Sequence, residues 1–318
     1  MRSLRRVLTA SGAAAAIAAT LALAPTSAGA SAQGGVERLP GYQVPVLASH
    51  EGGVSVVADD AVAAKAARTA KITVTYVGFS APAKAAFQRA VNAWAAKLSS
   101  PVPITVKANW APLGSGVLGS AGPSHIWKVN NVWYADALAN KKAGRQLDSA
   151  PDVVANFSSS FTNWHFGTGP APAGKYDFQS VVTHELGHGV GFLGLGSVSG
   201  GLGTVKHSGS PSAYDLFTEL GTGAALKGMP DKSAKLAAAL TSDNVFFDSA
   251  AVRTANGGKP AKLYAPSTWR QGSSYSHLNE STYPKGSQNS LMTYAISGGE
   301  TIRTPGPVAL AILKTTGW

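Results

Sequence analysis

The segment Val181–Phe192 constrains this 318-residue chain most strongly, because it contains the pattern His-Glu-x-x-His. On an α-helix His184 and His188 are one turn apart on the same face, so both imidazoles can reach one metal ion. Two histidines in this arrangement are half of a zinc site. The pattern therefore predicts a metal centre built on a helix. The alternative that needs no metal is a buried helix with two hydrogen-bonded histidines.

Glu185 is the residue of the motif that could act as a base in catalysis. It lies about 100° round the helix from His184, so it is poorly aimed to bind the ion but close enough to contact a metal-bound water. Zinc lowers the pKa of such a water from about 16 to about 7, and a carboxylate that takes the proton makes it a nucleophile. The motif therefore predicts hydrolysis of peptide bonds, with Glu185 as the general base.

The third metal ligand has to come from elsewhere in the chain, because a catalytic zinc usually has three protein ligands and a water. The chain contains no cysteine, which excludes a thiolate ligand and disulfide bonds. The sequence leaves four candidates for the third ligand, which are His165, His207, Glu219 and His277.

The region before the motif predicts a sheet backed by helices. Residues 72–77, 103–110 and 153–157 are rich in β-branched and aromatic side chains and predict strands. Between the first two, apolar residues recur at helical spacing over 86–94 and predict a helix. Strand, helix and strand in this order favour a sheet covered by helices. We expect loops or edge structure in the glycine-rich segment 113–122.

The remaining helices are predicted around and after the motif. Asp177 is placed to cap the helix that carries the histidines. Segments 212–221 and 232–241 predict two further helices, and residues 308–313 predict a C-terminal helix that ends near Gly317.

The N-terminus predicts export from the cell. Arginines at positions 2, 5 and 6 precede an Ala/Leu-rich run and an Ala-x-Ala site, so residues 1–30 predict a secretory signal peptide and a secreted protein. Residues 31–70 contain glycine pairs and little periodic apolar content, so we expect a pro-segment or flexible leader there. After the signal peptide, no segment is apolar enough to predict a membrane span.

Charge helps to exclude one class of partner. The chain carries 27 Lys and Arg against 16 Asp and Glu, a net charge of +11, and loss of the three N-terminal arginines would leave +8. The lysines are scattered rather than arranged in a stripe with aromatic residues, so we do not expect a nucleic-acid groove. The sequence makes no prediction about oligomeric state.

Two motifs of the chain resemble those of the metzincin zinc proteases. The pattern H-E-x-x-H-x-x-G is matched from His184 to Gly191, and Ser290-Leu-Met-Thr-Tyr294 resembles the metzincin Met-turn. Most metzincins place the third histidine three residues after the glycine, where this chain has Gly194. Leishmanolysin-like metzincins instead insert a segment and place that histidine shortly before the Met-turn. His277, fifteen residues before Met292, resembles that placement.

This resemblance implies an α+β metzincin-like zincin over residues 71–318. An N-terminal twisted mixed sheet with the active-site helix would form an upper subdomain (71–191), and a mostly irregular and helical lower subdomain (192–318) would close a cleft. It implies one catalytic Zn²⁺ held by the histidines of the motif and His277. Met292 would form an apolar floor, and Tyr294 could donate a hydrogen bond to the developing oxyanion. The implied activity is that of a secreted endopeptidase acting on proteins or peptides.

Two alternatives remain open from the sequence. Glu219 as third ligand would indicate a gluzincin-type peptidase, whose third ligand is a helical glutamate after the motif. The chain could also be a secreted binding or adhesion protein whose fold is stabilised by zinc and which performs no turnover.

Overall fold

The computed structural model describes residues 37–50, 52–57 and 70–318. The expected signal peptide, residues 1–30, lies outside the described residues. Within the described part, no helix is long and apolar enough to cross a membrane.

Helices and strands are both abundant, and the fold class is α+β, as the sequence predicted. The helices are α1 Ala81–Ala95, α2 Asp136–Ala143, α3 Phe178–Gly189, α4 Ala234–Leu240, α5 Ala250–Ala255 and α6 Pro307–Thr316. The strands are β1 Glu37–Pro40, β2 Val44–Ser49, β3 Ser55–Val57, β4 Ile72–Val77, β5 Ile104–Ala111, β6 Val117–Pro123, β7 His125–Val129, β8 Val132–Ala135, β9 Val153–Ser158, β10 Trp164–His165, β11 Tyr176–Asp177, β12 Ser197–Ser199, β13 Leu202–Thr204, β14 Thr218–Leu220, β15 Val245–Phe247, β16 Ala261–Lys262, β17 Ala295–Ser297 and β18 Glu300–Ile302.

The main sheet has six strands in the order β17-β2-β6-β9-β5-β4. Strands β4, β5 and β9 are parallel, with Ile72 opposite Ile104 and Val106 opposite Val153. A parallel pair needs a crossover connection, and α1 supplies it between β4 and β5. The predicted strand, helix and strand are therefore confirmed, and the antiparallel pairing of β6 with β9 makes the sheet mixed.

Helix α1 joins the sheet to the helix that carries the motif. The Ser80 side chain caps its first turn by accepting a hydrogen bond from Ala83 N. Its apolar face buries Phe87, Val91 and Trp94. The Trp94 indole also donates a hydrogen bond of 2.8 Å to the carbonyl oxygen of Thr183 on α3. This contact fixes α3 against α1 directly beside the histidine motif.

Strand β6 lies inside the sheet, so the expectation of loop or edge structure was wrong for residues 117–122 and right for residues 113–116, which form a loop. A side chain at Gly122 would collide with the backbone, because its Cβ would lie 1.8 Å from the Tyr42 carbonyl oxygen. A Cβ at Gly119 would lie 3.2 Å from the Glu185 side chain. Because these glycines have no side chains, two strands and a helix can approach one another closely. Glycine within a strand often marks such a close approach.

The flexible leader expected over 31–70 is wrong for residues 37–50 and 52–57. Strand β1 pairs with β7, β3 pairs with β18, and β2 lies between β6 and β17. The described residues belong to one compact unit. Strand β17, from the expected lower subdomain, is an edge strand of the main sheet, so the sheet is not confined to residues 71–191. The interpretation of this segment as a pro-segment stays a prediction.

The prediction of a helix over 212–221 was also wrong, although the segment begins with a helix cap. Ser212 and Asp215 form a reciprocal cap, in which Ser212 N donates to Asp215 Oδ2 (2.9 Å) and Asp215 N donates to Ser212 Oγ (3.2 Å). The turn lasts only from Asp215 to Phe217, because the next residues pair with β15 as strand β14. Helix α4 confirms the prediction over 232–241, and α6 confirms the C-terminal helix.

Asp215 is a buried carboxylate that joins several segments of the C-terminal part of the chain, residues 192–318. Its carboxylate accepts hydrogen bonds from Leu195 N at 3.1 Å, from the Ser212 hydroxyl at 2.7 Å and from the Tyr275 hydroxyl at 2.8 Å. Burial raises its pKa from 3.8 to about 6, and the hydrogen bonds from Ser212, Tyr275 and Leu195 favour the ionised form. It therefore links the chain just after α3 to the chain just before His277.

We expect Asp215→Ala to lower the free energy of unfolding by about 3 kcal/mol, because it leaves several buried donors without an acceptor. Urea unfolding followed by circular dichroism would measure the loss. Glu37→Ala is the matched control: the Glu37 side chain is 43% exposed and pairs with Lys128, so its loss should cost less than about 1 kcal/mol. Equal losses in the two variants would contradict this role of Asp215.

Candidate metal centre

Helix α3 is anchored at its start by a buried ion pair. Asp177 caps it by accepting a hydrogen bond of 3.0 Å from Ser180 N, as the sequence predicted. The Arg303 guanidinium binds the same carboxylate with two hydrogen bonds, of 2.9 and 2.6 Å. Arg303 was not singled out from the sequence, where it lies in the short segment between the Met-turn pattern and the predicted C-terminal helix. Every residue of α3 is buried.

The structure brings His277 to the two histidines of the motif. His188 Nε2 lies 3.0 Å from His184 Nε2 and 3.1 Å from His277 Nε2. All three side chains are fully buried. Their ring nitrogens are close enough together to hold one metal ion.

Hydrogen bonds on the other ring nitrogens fix the tautomer of each imidazole. His184 Nδ1 lies 2.6 Å from Leu291 O, His188 Nδ1 2.8 Å from Phe192 O, and His277 Nδ1 2.7 Å from Ser273 O. A carbonyl oxygen only accepts hydrogen bonds, so in a neutral ring each Nδ1 carries the proton and each Nε2 is left with a lone pair.

Three lone pairs that face one another at this distance repel unless a cation lies between them. Burial lowers the pKa of His184 to about 4 and those of His188 and His277 well below the usual range, so the rings are neutral at pH 7. Metal–nitrogen bonds of about 2.05 Å in a tetrahedral site would separate the nitrogens by roughly 3.3 Å, close to the observed spacing. Neutral charge, tautomer and spacing all fit a divalent metal ion.

Backbone hydrogen bonds on both sides of His277 position this residue. Its carbonyl oxygen accepts from Tyr264 N, and Leu278 N donates to the carbonyl oxygen of Met292. Two residues earlier, Tyr275 has a φ of 73°, which is unusual for a residue with a side chain. Its buried hydroxyl is held by Asp215. Asp215 therefore acts on the third histidine through Tyr275.

Met292 packs against the helix that carries the motif. It is fully buried, and a Cβ added at Gly187 would lie 2.9 Å from the Met292 sulfur. A Cβ at Gly189 would lie 2.3 Å from a methyl group of Val153 on β9. Glycine at these two positions therefore lets α3 pack closely against the methionine and the sheet.

Glu185 is the one acidic residue of α3. It is fully buried, and its Oε1 accepts a hydrogen bond of 3.2 Å from Val46 N on β2. Its Oε2 has no hydrogen-bond partner among the described residues. Burial raises its pKa well above the ordinary value. Backbone hydrogen bonds from Val46 and Ala121 oppose this rise, and Oε2 remains without a partner on the helix that carries two of the histidines.

The other candidate ligands are not part of the cluster. Glu219 lies on β14, opposite Phe246, where burial and the charge of Asp248 raise its pKa. His165 Nε2 lies 3.0 Å from Gly169 O, and the His207 ring packs on Trp133. The gluzincin alternative, which requires Glu219 at the metal, is therefore wrong.

The Tyr294 side chain lies next to Tyr264 and Glu280. Its ring stacks on Tyr264 with centroids 4.3 Å apart. Burial and the nearby Glu280 raise its pKa to about 12. None of the contacts described for its side chain involves the three histidines, so a role at an oxyanion stays a prediction.

A second group of possible ligands consists of His125, Asp136 and Asp148. His125 Nδ1 lies 3.1 Å from Asp148 Oδ2 and 3.5 Å from Asp136 Oδ2. The Arg38 guanidinium lies 2.5 Å from the same Asp148 oxygen and already supplies a positive charge. We interpret this group as a polar cluster in which the Arg38–Asp148 ion pair and the hydrogen bond from Trp127 to Asp136 fasten β1 and β7 to α2 and the chain that follows it.

Asp136 makes the stability of the fold depend on pH. Burial, with smaller effects from Asp152 and Asp148, raises its pKa from 3.8 to about 7. Between these values the folded chain holds a proton that the unfolded chain has lost, so stability falls as pH rises through this window, by at most about 1.4 kcal/mol per pH unit.

We expect Asp136→Asn to reduce this loss, because the amide stays neutral and its oxygen can still accept the hydrogen bond from Trp127. Unfolding by urea at pH 5 and pH 8 would measure the difference. The variant should gain about 1–3 kcal/mol on the parent protein between the two pH values. An identical pH dependence in both proteins would contradict the assignment.

Comparison with known proteins identifies no relative. No protein-family model matches the chain, and no curated protein or solved structure matches it either.

Proposed function

We propose that the chain is a secreted zinc-dependent endopeptidase of the metzincin type, in its leishmanolysin-like form. The observation that carries this proposal is the convergence of three unprotonated Nε2 atoms, two from the His-Glu-x-x-His helix and one from 89 residues further along. Supporting observations are the buried Met292 under the helix and the mixed sheet above it. Secretion is supported by the sequence of residues 1–30.

Zinc is the metal that fits this donor set best. Three neutral imidazoles without a thiolate or an additional carboxylate match the ligands of catalytic zinc sites that keep a fourth position open. Their Nδ1 protons are held by carbonyl oxygens of Leu291, Phe192 and Ser273, which orients each ring. When bound, zinc would act as a Lewis acid that polarises the scissile carbonyl and acidifies water.

Glu185 would carry the proton transfers. Its Oε2 is free of hydrogen bonds within the described structure and lies on the helix that carries two of the histidines. It would take a proton from the attacking water and pass it to the leaving amine. The water oxygen would add to the scissile carbon, and the carbon–nitrogen bond would then break as the amine takes the proton, so the products would be a carboxylic acid and an amine.

A zinc-stabilised binding protein is the second candidate. The full burial of Glu185 and of the three histidines favours it, because a site without turnover needs no access for substrate. The two candidates differ in catalysis and not in metal content.

We expect a chelator to abolish hydrolysis of casein by the secreted protein and zinc to restore it. The assay should use the intact chain and a chain cut by a sequence-specific protease at a recognition site inserted between residues 58 and 69. Elemental analysis should give about one zinc per chain before chelation and almost none after it. Zinc at that level without hydrolysis by either form would exclude the endopeptidase and leave the binding protein.

A further inference from the structure

We infer that His125, Asp136 and Asp148 form a second metal site, which binds a divalent cation of the manganese type. The three residues come from β7, from the first position of α2 and from the chain that follows α2. A bound ion would therefore join these segments and stabilise the fold, and would take no part in hydrolysis. The inference does not rest on the proposed function, because none of the three residues belongs to the three-histidine centre.

The spacing of the three side chains is the first observation. His125 Nδ1 lies 3.5 Å from Asp136 Oδ2 and 3.1 Å from Asp148 Oδ2. The three possible ligand atoms all lie within 4.8 Å of one another. Ligand atoms about 2.1 Å from one ion lie roughly 3.0–3.4 Å apart at octahedral or tetrahedral angles. One ion can therefore contact all three side chains after only small shifts.

Two buried atoms without hydrogen bonds are the second observation. Neither His125 Nδ1 nor Asp136 Oδ2 has a hydrogen-bond partner among the described residues. The Asp136 side chain is only 1% exposed, so water cannot reach its oxygen freely. A buried polar atom without a partner costs free energy, and in native proteins such an atom often contacts an ion or an ordered water. A cation between these two atoms would satisfy both of them.

The orientation of both carboxylates is the third observation. Trp127 Nε1 donates a hydrogen bond of 2.9 Å to Asp136 Oδ1, and Ala150 N donates one of 3.0 Å to Asp148 Oδ1. In each residue the Oδ1 atom is thus held by the protein, while the Oδ2 atom faces His125 Nδ1. Hydrogen bonds on the outer oxygen are the contacts that orient a carboxylate toward a metal ion.

Charge and access also favour a cation at this place. Two ionised carboxylates bring two negative charges, and the Arg38 guanidinium, 2.5 Å from Asp148 Oδ2, returns only one. Burial lowers the pKa of His125, so its ring is neutral at pH 7 and adds no charge. The His125 side chain is 24% exposed and that of Arg38 is 44% exposed, so an ion and its remaining waters can enter from solvent.

The donor set indicates which metal to expect. Carboxylates and water suit Mn²⁺, and imidazole is an acceptable ligand for it when carboxylates predominate. Manganese also binds a given set of ligands less tightly than the other common divalent transition metals do. Added Mn²⁺ should therefore bind at the carboxylates and leave zinc at the three histidines.

Titration of the full chain with Mn²⁺ tests the inference. The protein is first dialysed against buffer without metal, and free Mn²⁺ is then measured by electron paramagnetic resonance, while elemental analysis follows the zinc content. We expect one Mn²⁺ per chain and no change in zinc. Asp136→Asn should lower the affinity for Mn²⁺ by at least about 100-fold, because loss of a ligand costs more than loss of a residue that orients one.

Arg38→Gln should change the affinity in the opposite direction. This variant removes a positive charge that competes with the ion for Asp148, so we expect Mn²⁺ to bind about tenfold more tightly. A role of the cluster in packing alone predicts no such gain. Glu37→Gln is the matched control, because Glu37 precedes Arg38 on β1 and pairs with Lys128, and its affinity for Mn²⁺ should equal that of the parent chain.

If Asp136→Asn fails to fold, His125→Ala replaces it, because the His125 side chain is partly exposed and the same loss of at least about 100-fold is expected. No binding of Mn²⁺ by the parent chain would overturn the inference. Equal binding by a folded Asp136→Asn or His125→Ala variant would do the same, and so would weaker binding by Arg38→Gln.

Discussion

Replacement of Glu185 by glutamine should abolish hydrolysis and leave about one zinc per chain. The amide has the same shape, and its oxygen can still accept the hydrogen bond from Val46 N, so the helix and the histidine cluster should be unchanged. It has no basic oxygen to receive the proton from water. General-base catalysis contributes about 10²–10⁴-fold, so we expect kcat/KM of the cleaved enzyme to fall by about 10²–10⁴-fold.

Glu219→Gln is the matched control for this variant. It makes the same chemical change on β14, away from the histidine cluster, and should keep full activity and full zinc content. The measurements are casein hydrolysis after cleavage and elemental analysis of the same samples. Undiminished hydrolysis by Glu185→Gln would refute the role of general base.

Replacement of His277 by alanine should remove the metal. The variant keeps both histidines of the motif but loses the third nitrogen, which lies 3.1 Å from His188 Nε2. Loss of a residue that only orients a ligand already lowers metal affinity about 10–100-fold, so loss of a ligand should lower it by at least about 100-fold. Dialysis against a chelating resin followed by elemental analysis would measure the loss.

Removal of the metal should also lower stability, because binding of zinc to the folded chain adds to the free energy of unfolding. His207→Ala is the matched control, since the His207 ring packs on Trp133 outside the cluster. It should retain zinc and the melting temperature of the parent protein in zinc. If His277→Ala retained one zinc per chain after dialysis, the assignment of His277 as the third ligand would be wrong.

Local patterns were sufficient wherever the structure is set by neighbours in the sequence. The cap of α3 at Asp177, helix α1 and strands β4, β5 and β9 follow from short-range preferences and periodicity. The pair His184 and His188 is fixed by helix geometry alone. In each of these elements, the local preference and the tertiary environment favour the same conformation.

The errors share a physical cause, which is pairing with distant strands. Ser212 and Asp215 begin a helix with a capping box, but pairing of β14 with β15 ends it after one turn. Gly119 and Gly122 indicate a loop by composition, yet their missing side chains allow β6 to pack between β2, β9 and α3. The Ser212-x-x-Asp215 pattern was a usable signal for Asp215. We found no comparable local signal for Arg303.

The sequence alone determined that two histidines and a glutamate share one buried helix, because spacing on a helix depends on no other part of the molecule. It also supplied His277 as the best third ligand, through resemblance and not through geometry. Only the tertiary structure decided that the three Nε2 atoms meet, because carbonyl oxygens 107, 4 and 4 residues away orient the rings. The fold likewise decided that β2 covers Glu185, since the hydrogen bond joins residues 139 positions apart and no local preference specifies such a contact.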